Sequence, residues 1–299
     1  MSKEGSVPTP DSQLNALVEL LADDHPEVVE AARTKLIESA ERAVPLLQQA
    51  AASHKDSKVR VEARGVLERI RLASLEREWQ RTTQRPDEEV DLEQSTFLLA
   101  KVPYPEVDAK AYQRRLDDLA GRIRPKVKSL TKTKEQLVAL NEILFGDEKF
   151  RGNWDDYFDP QNSYLNCVLD RKLGIPISLS VLYLLIAQRL KIPVEGVGIP
   201  GHFMVKYEDD QTELYVDTFN SGRFLTRAEC IQFMVEAGYP YQPEFLEKVG
   251  PRDILARMLR NLILIYADRH EETLGRTLTH LLDLLYAEER RDEGKGKKK

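Results

Sequence analysis

Cysteine is scarce in this chain. Only Cys167 and Cys230 occur among 299 residues, and neither belongs to a CxxC pair or a Cys/His cluster. A disulfide framework and a structural zinc site therefore lack a sequence basis, and a reducing cytoplasm fits this usage. Long apolar runs are missing too. The richest, from Ile175 to Leu190, is broken by Pro176, Ser178, Ser180 and Gln188, so no segment reads as a membrane span. The opening MSKEGSVPTPDSQ (residues 1–13) has no apolar stretch of the kind a secretory signal needs. Charge of one sign is also lacking: 44 Lys and Arg stand against 50 Asp and Glu, a net charge of −6, which argues against a nucleic-acid partner. Neither a metal nor a cofactor is called for by any motif.

Helical periodicity is abundant. Over residues 14–75 the apolar positions recur at helical spacing, and Val28, Ala32, Arg33 and Leu36 return 31 residues later as Val59, Ala63, Arg64 and Leu67. Each set follows a polar turn, which predicts two short helical hairpins resembling the HEAT-type repeat; two copies are few for independent stability. The acidic segment RPDEEVDLEQ (85–94) lacks a periodic apolar face and reads as a domain boundary. Trp154, Tyr157 and Phe158 read as packing anchors. The resulting layout is a tail at 1–13, HEAT-like helices at 14–81, an acidic linker at 82–95, a central domain at 96–250, a helical tail at 251–291 and a basic tail at 292–299.

Between residues 162 and 220 the texture changes. An apolar helix over about 177–190 precedes two strand-like runs, HFMVKY (202–207) and LYVDT (214–218), joined by EDDQTE. Antiparallel pairing with His202 opposite Asp217, Phe203 opposite Val216 and Met204 opposite Tyr215 would bring the first pair to roughly 4.5–5.5 Å between Cβ atoms. There the carboxylate can accept the Nδ1–H of the imidazole and fix its tautomer. The other reading of His202 is a strand-end histidine bonded for its own stability. Ser178 lies in the first turn of the apolar helix, where backbone N–H groups and the helix dipole favour a nucleophile; its plainer reading is a first-turn capping serine. Asn162 and Asn166, one helical turn apart, either face a cleft or cap and solvate their helix, and Asn220 sits in a turn at the cleft rim. Cys167 and Cys230 read as small buried hydrophobes.

The motifs RKLGIPISL (171–179), GVGIPGHFMV (196–205) and VDTFNSG (216–222) resemble the SirB transglutaminase-like family, bacterial proteins described as regulators of sirC expression. The likeness runs over about residues 102–291, and ILARMLRNLILIY (254–266) and ERRDEG (289–294) are similar to the family's helical tail. It implies an α+β fold: a transglutaminase-like core of the papain-like superfamily with an antiparallel sheet, here preceded by all-α HEAT-like hairpins and followed by a short TPR-like tail. It also implies that His202 and Asp217 occupy the family's His and Asp positions and that Ser178 stands where an active member carries Cys. An active transglutaminase is thereby disfavoured. Two functions remain: a non-catalytic or regulatory domain binding a peptide or protein segment in a degenerate cleft, or a Ser–His–Asp hydrolase or acyl-transfer enzyme acting on an amide or ester.

Overall fold

The computed structural model describes residues 10–287, so the expected ERRDEG element and basic tail, and the first nine residues, lie outside the described residues. The chain divides into two compact units with the boundary between Arg77 and Glu78.

The first unit is helical: α1 (Pro10–Glu19), α2 (Pro26–Glu38), α3 (Ala40–Ser53) and the first part of α4 (Ser57–Thr83). Proline at the first position of α1 and α2 supplies a preset φ where its missing N–H costs nothing. Leu21, Ala32, Leu36, Ala43, Leu47, Val59, Ala63 and Val66 form a dry core. The repeated residues do not play equal parts. Ala32 and Ala63 are both buried, whereas Arg33 pairs with Glu62 through Nε at 3.1 Å and its counterpart Arg64 donates to the carbonyl of Ala51 at 3.2 Å.

The second unit continues through α5 (Leu92–Ala100), α6 (Ala109–Lys128), α7 (Thr133–Asn141), β1 (Arg151–Gly152), α8 (Leu165–Arg171), β2 (Leu173–Gly174), α9 (Pro176–Leu190) and β3 (Glu195–Val197). Then come β4 (Met204–Glu208), β5 (Glu213–Asp217), β6 (Arg223–Leu225), α10 (Arg227–Glu236), β7 (Lys248–Val249), α11 (Pro251–Asp268) and α12 (Glu272–Leu285). Five strands form an antiparallel sheet in the order β6-β5-β4-β3-β7. The antiparallel sheet with flanking helices agrees with the α+β expectation, and α9, apolar nearly all round, is buried as such a helix must be. Met204, Tyr215 and Leu225 face α10, where they meet Cys230 and Met234. Residues 85–94 hold a 3-10 turn at Asp87–Glu89 and the start of α5, and Asp87 Oδ1 accepts the N–H of Arg252 at 2.8 Å.

The β4–β5 hairpin departs from the sequence expectation in register. Val205 pairs with Val216 and Lys206 with Tyr215, a shift of two residues from the expected pairing, and His202 precedes the strand instead of lying in it. The turn sets this register: the Asp209 carboxylate accepts the N–H groups of Gln211 at 2.9 Å and Thr212 at 2.7 Å, which confines the loop to residues 209–212. A shift of two leaves every side chain on its original face, since the strand period is two.

Candidate functional site

His202 is presented by a tight loop. Its N–H donates to the carbonyl of Ile199 at 3.2 Å, and Gly201 takes φ of +73°, a conformation that only glycine adopts freely. Arg257 of α11 fixes the same loop by donating Nη2–H to the carbonyls of Ile199 (2.7 Å) and His202 (2.6 Å). From there the ring reaches Asp217, the last residue of β5, with Nε2 and Oδ1 2.9 Å apart. The contact is diagonal across the hairpin, a distance that a side chain as long as histidine spans. Because an ionised carboxylate only accepts, the bonded proton is on Nε2; the expected Nδ1–H···Asp bond is replaced by its Nε2 counterpart.

Asn220 completes the group. Its Nδ2 donates to Asp217 Oδ2 at 2.6 Å and its backbone N–H to Oδ1 at 3.2 Å. Burial would raise the Asp217 carboxyl, but the hydrogen bonds and positive potential of His202 and the Asn220 donors outweigh it and hold the group below its ordinary range. The following turn needs glycine: Gly222 has φ of +75°, and a Cβ there would lie 2.5 Å from the Phe145 ring and 2.7 Å from the Asn141 amide. Asn141 Nδ2 meanwhile donates to the Gly222 carbonyl at 2.6 Å, so the end of α7 anchors the turn behind Asp217. No signal in the sequence marked Asn141 or Arg257 for these tasks, because both lie 40 residues or more from either member of the pair they support.

Ser178 is fully buried at the third position of α9. Its Oγ accepts the N–H of Ile175 at 3.0 Å and donates to the carbonyl of Asn162 at 2.5 Å, with the Ile175 carbonyl at 3.2 Å; among the described residues it makes no hydrogen bond to His202. Asn162, also fully buried, donates to the carbonyls of Asp156 (2.7 Å) and Tyr157 (3.3 Å) and accepts from Asn153 Nδ2 (3.0 Å), so it pins the 153–162 loop. Asn166 is buried on α8 with an Oδ1 that has no hydrogen-bond partner among the described residues. Both thiols are buried: burial pushes the Cys167 thiol up, and burial together with acidic neighbours pushes Cys230 up to about 12.

Aromatic rings surround the pair. His202 lies 5.3 Å from Phe233 and 6.2 Å from Phe219 between ring centroids, Phe219 contacts Trp154 at 4.6 Å and Tyr157 at 5.8 Å, and Tyr157 meets Phe158 at 5.3 Å. Trp154 and Phe158 do not serve as the packing anchors that the sequence suggested; they are 69% and 67% exposed. Their loop is secured instead by Asn162 and Asn153 from beneath. Beside Trp154 and Phe219 opens a cavity of about 420 Å³ that also takes in Arg151, Asn153, Asn220 and Ser221. Among the described residues no cluster of His, Cys, Asp and Glu could hold a metal ion, and no helix is long and apolar enough to cross a membrane.

A family profile for the transglutaminase-like superfamily matches residues 110–260. A UPF0162 protein of Xylella fastidiosa is 36% identical over 200 residues, covering 64% of this chain and 70% of that protein. A UPF0162 protein of Pseudomonas aeruginosa is 29% identical over 152 residues, covering 50% of this chain and 55% of the relative. The human F-box only protein 21 is 36% identical over 135 residues, 42% of this chain and 21% of its own length. No solved structure matches the chain significantly.

Proposed function

We propose that this chain, which belongs to the transglutaminase-like superfamily and to the UPF0162 family, uses the cleft at His202 and Asp217 to bind an extended peptide or protein segment without catalysing a reaction on it. The bonding of Ser178 carries this reading. A serine becomes a nucleophile when a base in hydrogen-bond reach takes its proton; here that proton is committed to a backbone carbonyl at 2.5 Å and the hydroxyl lone pair to the Ile175 N–H. The thiols offer no substitute, since buried cysteines with raised pKa are poor nucleophiles. Recurrence of the same segment within a much longer F-box protein fits a domain carried as a module.

Exposed Trp154, Phe158 and Phe233 around the pair supply what a peptide groove needs, large rigid apolar contacts near the polar atoms of His202 and Asn220. In this reading the front helices and the α11–α12 hairpin act as HEAT-like and TPR-like interaction surfaces of a cytoplasmic regulatory protein. The competing reading, a hydrolase or acyl transferase, draws on His202 Nδ1, the ring nitrogen not engaged by Asp217, as the site of a general base.

Panning a randomised peptide library on the full chain tests the proposal. Selected peptides are expected to carry large apolar side chains and to lose at least about tenfold in affinity against Trp154→Ala or Phe233→Ala, the scale of an interface hot spot. Peptides that bind both variants as tightly as the parent would contradict it.

A further inference from the structure

Arg257 has a second face. Its Nη2 is used by the two loop carbonyls, and its guanidinium carbon lies 5.6 Å from the centroid of the Phe203 ring. Among the described residues no Asp or Glu forms an ion pair with it; burial lowers its pKa, with Tyr157 acting in the opposite sense. A half-buried guanidinium held in no ion pair retains attraction for an anion. The remaining donors belong to Nη1 and Nε.

A cavity of about 330 Å³ meets this group, lined by Gly198, Phe203, Val249, Asp253, Arg257 and Arg260. Gly198 keeps the approach open: a Cβ at that position would stand 3.0 Å from Arg257 Nη1. Two guanidinium groups and one carboxylate leave the lining with a single net positive charge, which suits a monoanion better than a dianion. Phe203 and Val249 provide apolar wall beside the charge.

We propose that this cavity is a carboxylate-binding subsite, in which Arg257 Nη1 and the Arg260 guanidinium at the rim hold a monocarboxylate whose apolar stem lies against Phe203 and Val249. The subsite does not depend on what occupies the His202 cleft. A peptide C-terminus, an acidic side chain and a small organic acid all present the required group, and all share its charge and planarity.

Benzoate is a suitable probe, followed on the full chain by saturation-transfer NMR and by thermal shift. Saturable binding is expected, absent for the isosteric neutral benzamide. Gly198→Ala, which crowds Nη1 while leaving both arginines, is expected to weaken benzoate at least about tenfold, the scale of one charged hydrogen bond. Arg260→Gln, an exposed position, should weaken it as well without disturbing the loop that Arg257 holds. Peptides ending in a free acid against the same peptides amidated separate the terminal source from the side-chain source. Failure of benzoate to bind, equal binding of benzamide, an unchanged Gly198→Ala, or displacement of benzoate by lower concentrations of inorganic phosphate would each overturn the assignment.

Discussion

Asp217→Ala is expected to destabilise the second unit by about 3–5 kcal/mol, the cost of breaking a buried pair and stranding its partner. Three donors lose their acceptor at once: His202 Nε2–H, Asn220 Nδ2–H and the Asn220 backbone N–H. The stranded His202 dominates the cost, since it is 7% exposed and Asp217 itself 3%, whereas the Asn220 donors are at an exposed residue and can turn to water. Asp217→Asn keeps one oxygen but turns an amide N–H toward donors, and should cost about 1–3 kcal/mol. Urea unfolding followed by circular dichroism measures both, and an alanine variant within about 1 kcal/mol of the parent would refute the arrangement.

The same carboxyl gives a pH signature. Its folded pKa is depressed below an unfolded value of about 3.9. The stability it contributes is therefore fully present above that unfolded value and is lost as pH falls through the folded one. Glu148 and Glu213 are depressed as well, Glu148 by its bonds with Lys172 and Arg122 and Glu213 by those with Tyr215, Arg227 and Lys206, each against the upward pull of burial. The parent's loss below about pH 4 thus sums several groups. The difference between parent and Asp217→Asn isolates the one: it should be constant near neutrality and shrink as the solution is taken below about pH 4.

Trp79→Ala is the second large effect expected. Trp79 sits on the part of α4 that belongs to the second unit, is fully buried, and donates Nε1–H to the carbonyl of Leu281 on α12 at 3.0 Å. Removing so large a buried side chain costs about 3–5 kcal/mol, whereas Trp79→Phe keeps most of the volume and forfeits chiefly the hydrogen bond, about 1 kcal/mol. A calorimetric scan of the three proteins should rank them in that order. Equal transitions for the alanine and phenylalanine variants would mean that the bond to Leu281, and not the packing, anchors this contact.

Much of the fold was legible because its elements announce themselves by period. The all-round apolar character of residues 177–190 and the two alternating runs around a polar turn gave a buried helix and a hairpin, and both are present. The register was not legible, because it is set by the side chain of Asp209 bonding to two backbone N–H groups within its own turn. His202 and Asp217 nevertheless meet, since a slip of two residues conserves the face and the ring bridges the diagonal. Ser178 illustrates a different limit. Its place in the first turn of α9 could be read, but the direction of its proton depends on the carbonyl of Asn162, supplied by a loop 16 residues away. Trp154 and Phe158 likewise read as packing anchors, although an apolar side chain is equally suited to the exposed positions they occupy.

Whether the cleft is catalytic is tested most directly by incubating the full chain with a fluorophosphonate at neutral pH and measuring intact mass, beside parallel samples of Ser178→Ala and His202→Ala. The binding-module account predicts that all three proteins keep their unmodified masses, because the Ser178 hydroxyl is held on the Asn162 carbonyl and is not offered to His202. A stoichiometric adduct on Ser178 of the parent, absent from both variants, would contradict that account and establish a working Ser–His–Asp site.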